Sequence, residues 1–289
     1  MIDAADIGRR YGGQYRGGEW HFMCPLCQTY KASVTNVEDG EFLCNCYGCG
    51  DELYYYLTNE DLDDVAIEDL PPPWEDPKEQ QQAKIAVALS EFQSLRPVAS
   101  NTPADLYWHS RGLGQTPAVL RYGARFPHYR ARRRLPALVM PIVNCNGSFI
   151  GAHGTYLKKN GSKAFKDKNM QRETHGSWKG GSIRLAKFDP ALELAIGEGA
   201  ETTAAGMQIF SLPGWSSVSA GGIRSLALPD DVRRILLLVD NDLNGVGQRN
   251  ALAAYKRWTE EGRSVRTMLP PTPGDDFNDE LLKRELDGR

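Results

Sequence analysis

Apolar and polar positions change rhythm three times along the 289 residues. Near the N-terminus, Ala32-Ser33-Val34 and Glu41-Phe42-Leu43 have the pattern of short ribbon strands. Ile85, Leu89 and Phe92 then recur at helical spacing and predict a short amphipathic helix. From residue 101 the pattern is that of antiparallel strands. ALVMPIV and SFIGAHGTYL flank Asn146-Gly147, and Asn160-Gly161 precedes SKAF. Asn-Gly between such runs signals a hairpin, because both turn residues take positive φ. After residue 190, strands and helices alternate. LELAIGE, IFSL, ILLLVD and SVRTML predict strands, whereas TTAAGM, GIRSLAL, GQRNALAAYKRWTEEG and DFNDELLKREL predict helices. Such alternation means a parallel sheet covered on both faces, with functional groups gathered at the carboxyl ends of its strands.

The expected architecture is therefore multidomain α+β. Residues 1–58 form a small β ribbon, 59–100 a connector, 101–190 a mixed β-rich region, and 191–289 an α/β domain with a parallel sheet. The connector carries an acidic run and PPPWEDP, and three consecutive prolines among solvated acids do not pack a core. A composition of 41% hydrophobic and 25% charged residues excludes collagen-like and wholly disordered classes. No stretch approaches the ~18 apolar residues of a membrane span. The N-terminus has no apolar signal core, so a cytoplasmic protein is expected.

Net charge is −3, but its distribution changes the picture. Between residues 60 and 79 there are nine acids and one base; between 101 and 190 there are sixteen Lys and Arg against four acids. A basic middle is the footprint of a polyanion partner. Arg121, Arg125, Arg130, Arg132, Arg133 and Arg134 fall within fourteen residues, and Lys158, Lys159, Lys163, Lys166 and Lys168 cluster around the second hairpin. Gly180-Gly181-Ser182-Ile183-Arg184 would bring backbone close to phosphate. Arg121, Arg125, Arg132, Arg133, Arg134, Lys163, Lys166 and Arg184 are the candidate nucleic-acid or nucleotide contacts.

Cys24-Pro-Leu-Cys27 and Cys46-Tyr-Gly-Cys49 are two CxxC knuckles eighteen residues apart. Two such pairs supply the four thiolates of a tetrahedral zinc site. Cys44 is a spare, and an alternative ligand to Cys46. The aromatics of this region suit stacking on unpaired bases or a minimal core.

Five aliphatic residues, Ile235–Val239, run straight into Asp240 and Asp242. Residues two apart share a face while a strand continues, so both carboxylates are expected to converge on one ion. Strand LELAI ends at Glu198 between Gly197 and Gly199, and a third cluster, with Asp275, Asp276 and Asp279, follows SVRTML. Three acidic sites at three strand ends form a hard-cation pattern suited to magnesium and in-line phosphoryl transfer.

GEGAET, LLLVDNDLNG and GDDFNDEL together resemble the Toprim domain shared by DnaG-type primases, topoisomerases, and several nucleases and repair proteins. CPLC…CYGCG is similar to the zinc ribbon of DnaG-type and phage-type DNA primases. The resemblance implies a primase that makes short RNA primers on single-stranded DNA from ribonucleoside triphosphates. It places Glu198 as general acid/base or metal ligand, with Asp240, Asp242, Asp276 and Asp279 around Mg2+ or Mn2+. It makes residues 101–190 the N-terminal subdomain of a polymerase core. A replicative helicase in trans is the expected partner, and a phage or mobile element in a bacterial cytoplasm a fitting source. A Toprim-type nuclease and a non-catalytic zinc-bearing DNA-binding mediator are the alternatives.

Overall fold

The computed structural model describes residues 3–25, 31–36, 42–46, 53, 57 and 77–287. The chain divides into two compact units, Met1–Pro77 and Lys78–Arg289.

In the first unit, α1 (Ala4–Arg10) is followed by β1 (Gln14–Arg16), β2 (Glu19–Met23), β3 (Lys31–Asn36) and β4 (Phe42–Cys46). The strands form an antiparallel sheet in sequential order. Asp3 caps α1, and Asn36 Oδ1 accepts the Ala4 amide. Ala4 and Ile7 bury against Phe22 and Val34, and Tyr11 stacks on Phe22 at 5.5 Å. A Cβ on Gly8 would lie 2.3 Å from the Trp20 ring, so only glycine lets helix and strand meet there. Phe22 and Trp20 thus serve the minimal core, whereas Tyr15 is 62% exposed. Tyr30, Tyr47 and Tyr54 to Tyr56 lie outside the described residues.

The second unit begins with α2 (Pro77–Gln93), a longer helix than expected. The face that carries Ile85, Leu89 and Phe92 also buries Ala88. Phe92 packs on Phe149, and Glu91 bonds His175, so this helix belongs to the unit rather than to a connector. Next come β5 (Arg96–Pro97), α3 (Pro103–Ser110), β6 (Arg121–His128), β7 (Arg133–Val143), β8 (Phe149–Tyr156), α4 (Lys168–Gln171) and β9 (Arg172–Gly176). Strands β5 to β9 make an antiparallel sheet in sequential order. Both Asn-Gly turns occur, but only their glycines take positive φ: Gly147 and Gly161 lie at φ +82°, whereas Asn146 and Asn160 do not enter the left-handed region. At Gly161 a side chain would also strike Leu106.

The remaining elements are β10 (Ile183–Arg184), β11 (Leu194–Gly197), α5 (Ala200–Phe210), β12 (Gly214–Ser216), α6 (Ala220–Ser225), β13 (Arg234–Leu238), α7 (Val246–Glu260), β14 (Ser264–Met268) and α8 (Phe277–Leu286). The sheet order is β10-β12-β11-β13-β14; the last four are parallel and β10 is antiparallel. Three expectations change. IFSL is not a strand: Ile209 and Phe210 finish α5, and the strand is Gly-Trp-Ser, beginning at Gly214. Strand β10 comes from before residue 190 yet pairs within the parallel sheet. Strand β14 is an edge left mostly exposed, so the sheet is not covered throughout. The two sheets of this unit share one core, in which Tyr107, Trp108, Leu138 and Met140 meet Ala204, Leu236 and Leu238. Among the described residues, no helix is long and apolar enough to cross a membrane.

Candidate active site

Strand β11 is wholly buried and releases Glu198 at its carboxyl end. Gly197 must be small, since a Cβ would sit 2.6 Å from Thr203 Oγ1. The loop after β12 wraps the same point. Ser217 donates its amide to Gly197 O, and Ser216 Oγ donates to Glu198 O at 2.7 Å. Val218 within that loop holds φ +75°, a strained value for a β-branched residue. Burial pushes the Glu198 carboxyl up, against a stabilising Ala220 amide, and the nearby Asp242 charge adds to the rise.

Strand β13 delivers Asp240 two residues beyond its end. The loops that carry the second and third acidic clusters are stitched together. Asn241 donates its amide to Asp275 O at 3.0 Å and its side-chain amide to Pro270 O at 2.9 Å, and Gly274 donates back to Asn241 O at 2.7 Å. Asp276 caps α8, its Oδ1 accepting the Asn278 and Asp279 amides, while Asp279 accepts the Asp276 amide. Asp275 is paired with Lys283.

Glu198, Asp240 and Asp276 line one cleft of about 370 Å³. Asp242 does not line it: the strand has already ended, and Asp242 Oδ2 turns to accept the Gly247 amide in the first turn of α7 at 3.2 Å. Asp242 nevertheless stays close enough for its charge to raise both Glu198 and Asp240, so the acids of the cleft come from the ends of β11 and β13, from α5 and from the N-cap of α8. Among the described residues, no three Cys, His, Asp or Glu side chains approach closely enough to enclose an ion by themselves. Magnesium tolerates this, because it keeps waters and shares its shell with substrate phosphates. The donor set otherwise fits a cation. Asp240 Oδ1 is buried and accepts no hydrogen bond, and burial, with Glu198 and Asp276 beside it, pushes the Asp240 carboxyl up to about 8.

The facing wall is cationic. Arg111, Lys163, Lys166 and Arg172 line the cleft with Phe165 and Gln171. Burial, then Arg172 and Arg111, pushes the Lys163 ammonium down. Arg133 lies over the Phe165 ring at 5.0 Å, so the β6–β7 hairpin reaches the cleft's rim. Arg132 is exposed at the hairpin tip with φ +50°. Arg125 and Arg134 are exposed, and Arg134 donates to Arg125 O. Arg121 is used locally, donating to Ala118 O and Leu120 O. Arg184 lies elsewhere. It covers Trp215 at 4.0 Å, donates to Asn144 O and Cys145 O, and lines a separate cavity with Lys187 and Phe188.

The sequence reading did not single out Arg111, Arg172, Glu201 or Tyr107. Glu201 Oε1 accepts the Tyr107 hydroxyl at 2.7 Å and Arg172 Nη2 at 3.2 Å. Burial opposes the charge on Glu201, yet Arg172 and Tyr107 hold its carboxyl at about 2. The available signal was an acid three residues after Glu198 on an otherwise small and apolar helix.

In the first unit, Cys24 and Cys46 are buried in the same cluster, and Cys44 is half-buried on the same face of β4. Cys27 and Cys49 lie outside the described residues.

Residues 193–286 match the Toprim domain family, and residues 82–185 match a domain of unknown function, DUF7146. No curated protein matches the chain. Among solved structures it is similar to the primase fragment of the bacteriophage T7 primase-helicase protein at 15% identity and TM-score 0.39. That match covers 64% of this chain and 65% of that one, less than two thirds of its length. It is similar to the Aquifex aeolicus primase, zinc-binding and RNA polymerase domains, at 16% identity and TM-score 0.45, over 100% of this chain and 82% of that one. A third is the RNA polymerase domain of Mycobacterium tuberculosis primase DnaG, at 15% identity and TM-score 0.43, over 74% and 84%. With TM-scores below 0.5, these likenesses leave the function to the site itself. The carboxyl-terminal segment that bears Glu198, Asp240 and Asp276 is the one that matches the Toprim domain family.

Proposed function

We propose that the protein is a DNA primase that joins ribonucleotides on a single-stranded DNA template. One observation carries the reading: carboxylates from the ends of β11 and β13 and from the N-cap of α8 share one cleft with a wall of arginine and lysine. Glu198, Asp240 and Asp276, with Asp242 close by, would hold a divalent magnesium or manganese ion, which would supply Lewis-acid stabilisation of the phosphoryl oxygens. Glu198, its carboxyl pushed up by burial, takes the proton from a ribose 3′-hydroxyl as that oxygen bonds the α-phosphorus. The bond to pyrophosphate breaks as the new one forms. The cationic wall holds the polyanionic reactants, and the β6–β7 hairpin with Arg132 and Arg133 leads the template backbone to the cleft.

The first unit is read as a zinc ribbon with Cys24, Cys27, Cys46 and Cys49 as ligands. Its exposed Tyr15, tilted against Trp20 at 5.6 Å, is suited to stacking on an unpaired base. A helicase acting in trans would deliver the single-stranded template.

The test is to incubate the protein with single-stranded DNA, labelled ribonucleotides and magnesium, and to resolve the products on a gel. Template-dependent oligoribonucleotides are expected, and Asp240→Ala should lower their yield at least ~100-fold, the scale for losing a key electrostatic group. DNA binding should survive that substitution. Shortened DNA without new RNA would replace the primase by a nuclease, and neither product would leave a DNA-binding mediator.

A further inference from the structure

Arg172 is the first residue of β9 and lines the cleft together with Asp240 and Asp276. Its side chain is 41% exposed, while its partner Glu201 is 5% exposed on the buried face of α5. Glu201 Oε1 receives two donors, Arg172 Nη2 and the Tyr107 hydroxyl. One end of the guanidinium is therefore fixed by the α5 carboxylate. A guanidinium has five N–H donors, so others remain for a ligand in the cleft.

The arrangement answers an electrostatic problem. An untethered guanidinium beside Asp240 and Asp276 would fold onto them, because arginine forms strong two-pronged pairs with carboxylates. That pair would occupy the oxygens a metal ion needs. Glu201, on α5 in the wall of the same cleft, offers a competing carboxylate, and the Tyr107 hydroxyl fixes that carboxylate in turn. Arg111, Lys163 and Lys166 share the wall, but among the described residues none of these forms an ion pair with a buried acid. Arg172 is the pre-set donor of the group, and a pre-set donor needs no reorganisation when charge arrives.

We propose that Arg172, moored by Glu201 and Tyr107, grips the polyphosphate tail of a nucleoside triphosphate. In this arrangement Glu201 is a positioning residue that keeps the guanidinium off Asp240 and Asp276. The identity of the ligand rests on the nucleotidyl-transfer reading; the mooring itself does not.

Two binding measurements on the full-length protein test this. The first is calorimetric titration of inorganic tripolyphosphate with magnesium present. Arg172→Ala should weaken tripolyphosphate about tenfold to a hundredfold, the scale of one hydrogen bond to a charged group, and should barely change orthophosphate. Arg172→Lys should recover part of the loss. Unchanged tripolyphosphate affinity in Arg172→Ala overturns the grip.

The second is Mn2+ binding alone, followed by electron paramagnetic resonance. Glu201→Gln should lower Mn2+ affinity about tenfold, because the released guanidinium competes for the acids. Arg172→Ala should not lower it, and the double variant should restore it. Loss that persists in the double variant makes Glu201 a metal ligand or a purely structural residue and overturns the positioning role. Melting curves accompany each variant. If Glu201→Gln fails to fold, Tyr107→Phe replaces it in the same cycle, with a smaller loss that must likewise vanish without Arg172.

The two readings fail separately. Primer synthesis with an unchanged nucleotide KM in Arg172→Ala removes the grip and leaves the primase. Tripolyphosphate binding that depends on Arg172, in a protein that makes no primers, removes the primase and leaves the grip.

Discussion

Asp240 and Glu201 are two carboxyls in one domain with opposite fates. Burial and the neighbouring acids push Asp240 up to about 8, whereas Arg172 and Tyr107 hold the more deeply buried Glu201 at about 2. The difference lies in partners, since an unpaired buried charge is costly and a paired one is not. The raised group has a pH consequence. Between the ordinary carboxylate range and about pH 8, the folded, metal-free protein holds a proton on Asp240 that the unfolded chain has released. Stability contributed by that proton is present at low pH and falls as pH rises toward 8. A divalent cation displaces the proton and reverses the trend. Thermal melting at pH 6 and pH 8, with and without magnesium, should show a larger magnesium stabilisation at pH 8. In Asp240→Asn the metal-free protein should lose that part of the pH slope, and the magnesium effect should shrink. Equal magnesium stabilisation at both pH values would remove Asp240 from the cation site.

At the scale of elements, the site depends on how closely α5 lies against β13. A Cβ on Gly206 would sit 2.2 Å from Leu238 Cδ1, and Leu238 ends the strand that delivers Asp240. Alanine there forces the Leu238 side chain into another rotamer within the packed core or pushes the helix from the strand end. Gly206→Ala should destabilise the protein by about 1–3 kcal/mol through overpacking, despite alanine's better helix propensity. It should also reduce activity in the fraction that remains folded. Urea unfolding and the primer assay on the same preparation check both effects. A neutral or stabilising outcome would mean that the helix yields without moving the site. The antiparallel sheet is anchored differently, by a polar cluster. His175 Nδ1 lies 2.6 Å from Glu91 Oε2, and Tyr156, Glu173 and His128 close the group around β8 and β9. This cluster ties α2 to the sheet that carries the basic hairpin.

The whole molecule has two units with separate cores, one up to Pro77 and one from Lys78. The first has a small core, and units of that size usually need a metal or other staple. Metal analysis should find zinc in the purified protein. Cys46→Ser should release it and Cys44→Ser should retain it. The reverse result would exchange the two as ligands, which the half-buried placement of Cys44 on the Cys46 face of β4 makes a real contest. Zinc removal should unfold the first unit and leave the melting of the second in place, because the two cores are independent.

The periodicity and punctuation of the sequence determined which elements form in the C-terminal unit. Five aliphatics in a row are legible as a buried strand, Asn-Gly as a turn, and Gly262 at φ +79° as a helix stop, because each depends on local sterics and solvation. The acids at three strand ends were legible for the same reason. IFSL was misread because an apolar run of four has no period of its own, and the end of α5 claimed it. Only the tertiary structure decided which acids share a cleft. Asp242 does not line the cleft with Asp240, because β13 ends at Leu238 and Asp242 Oδ2 accepts the Gly247 amide of α7, although its charge still acts on Asp240. Only the tertiary structure also decided which of sixteen bases in the basic middle face those acids. Arg172 and Lys163 do, whereas Arg121 and Arg184 are spent on backbone carbonyls. Local pattern fixes direction along an element, but charge partners are set by residues such as Tyr107 and Glu201, ninety-four positions apart in the chain.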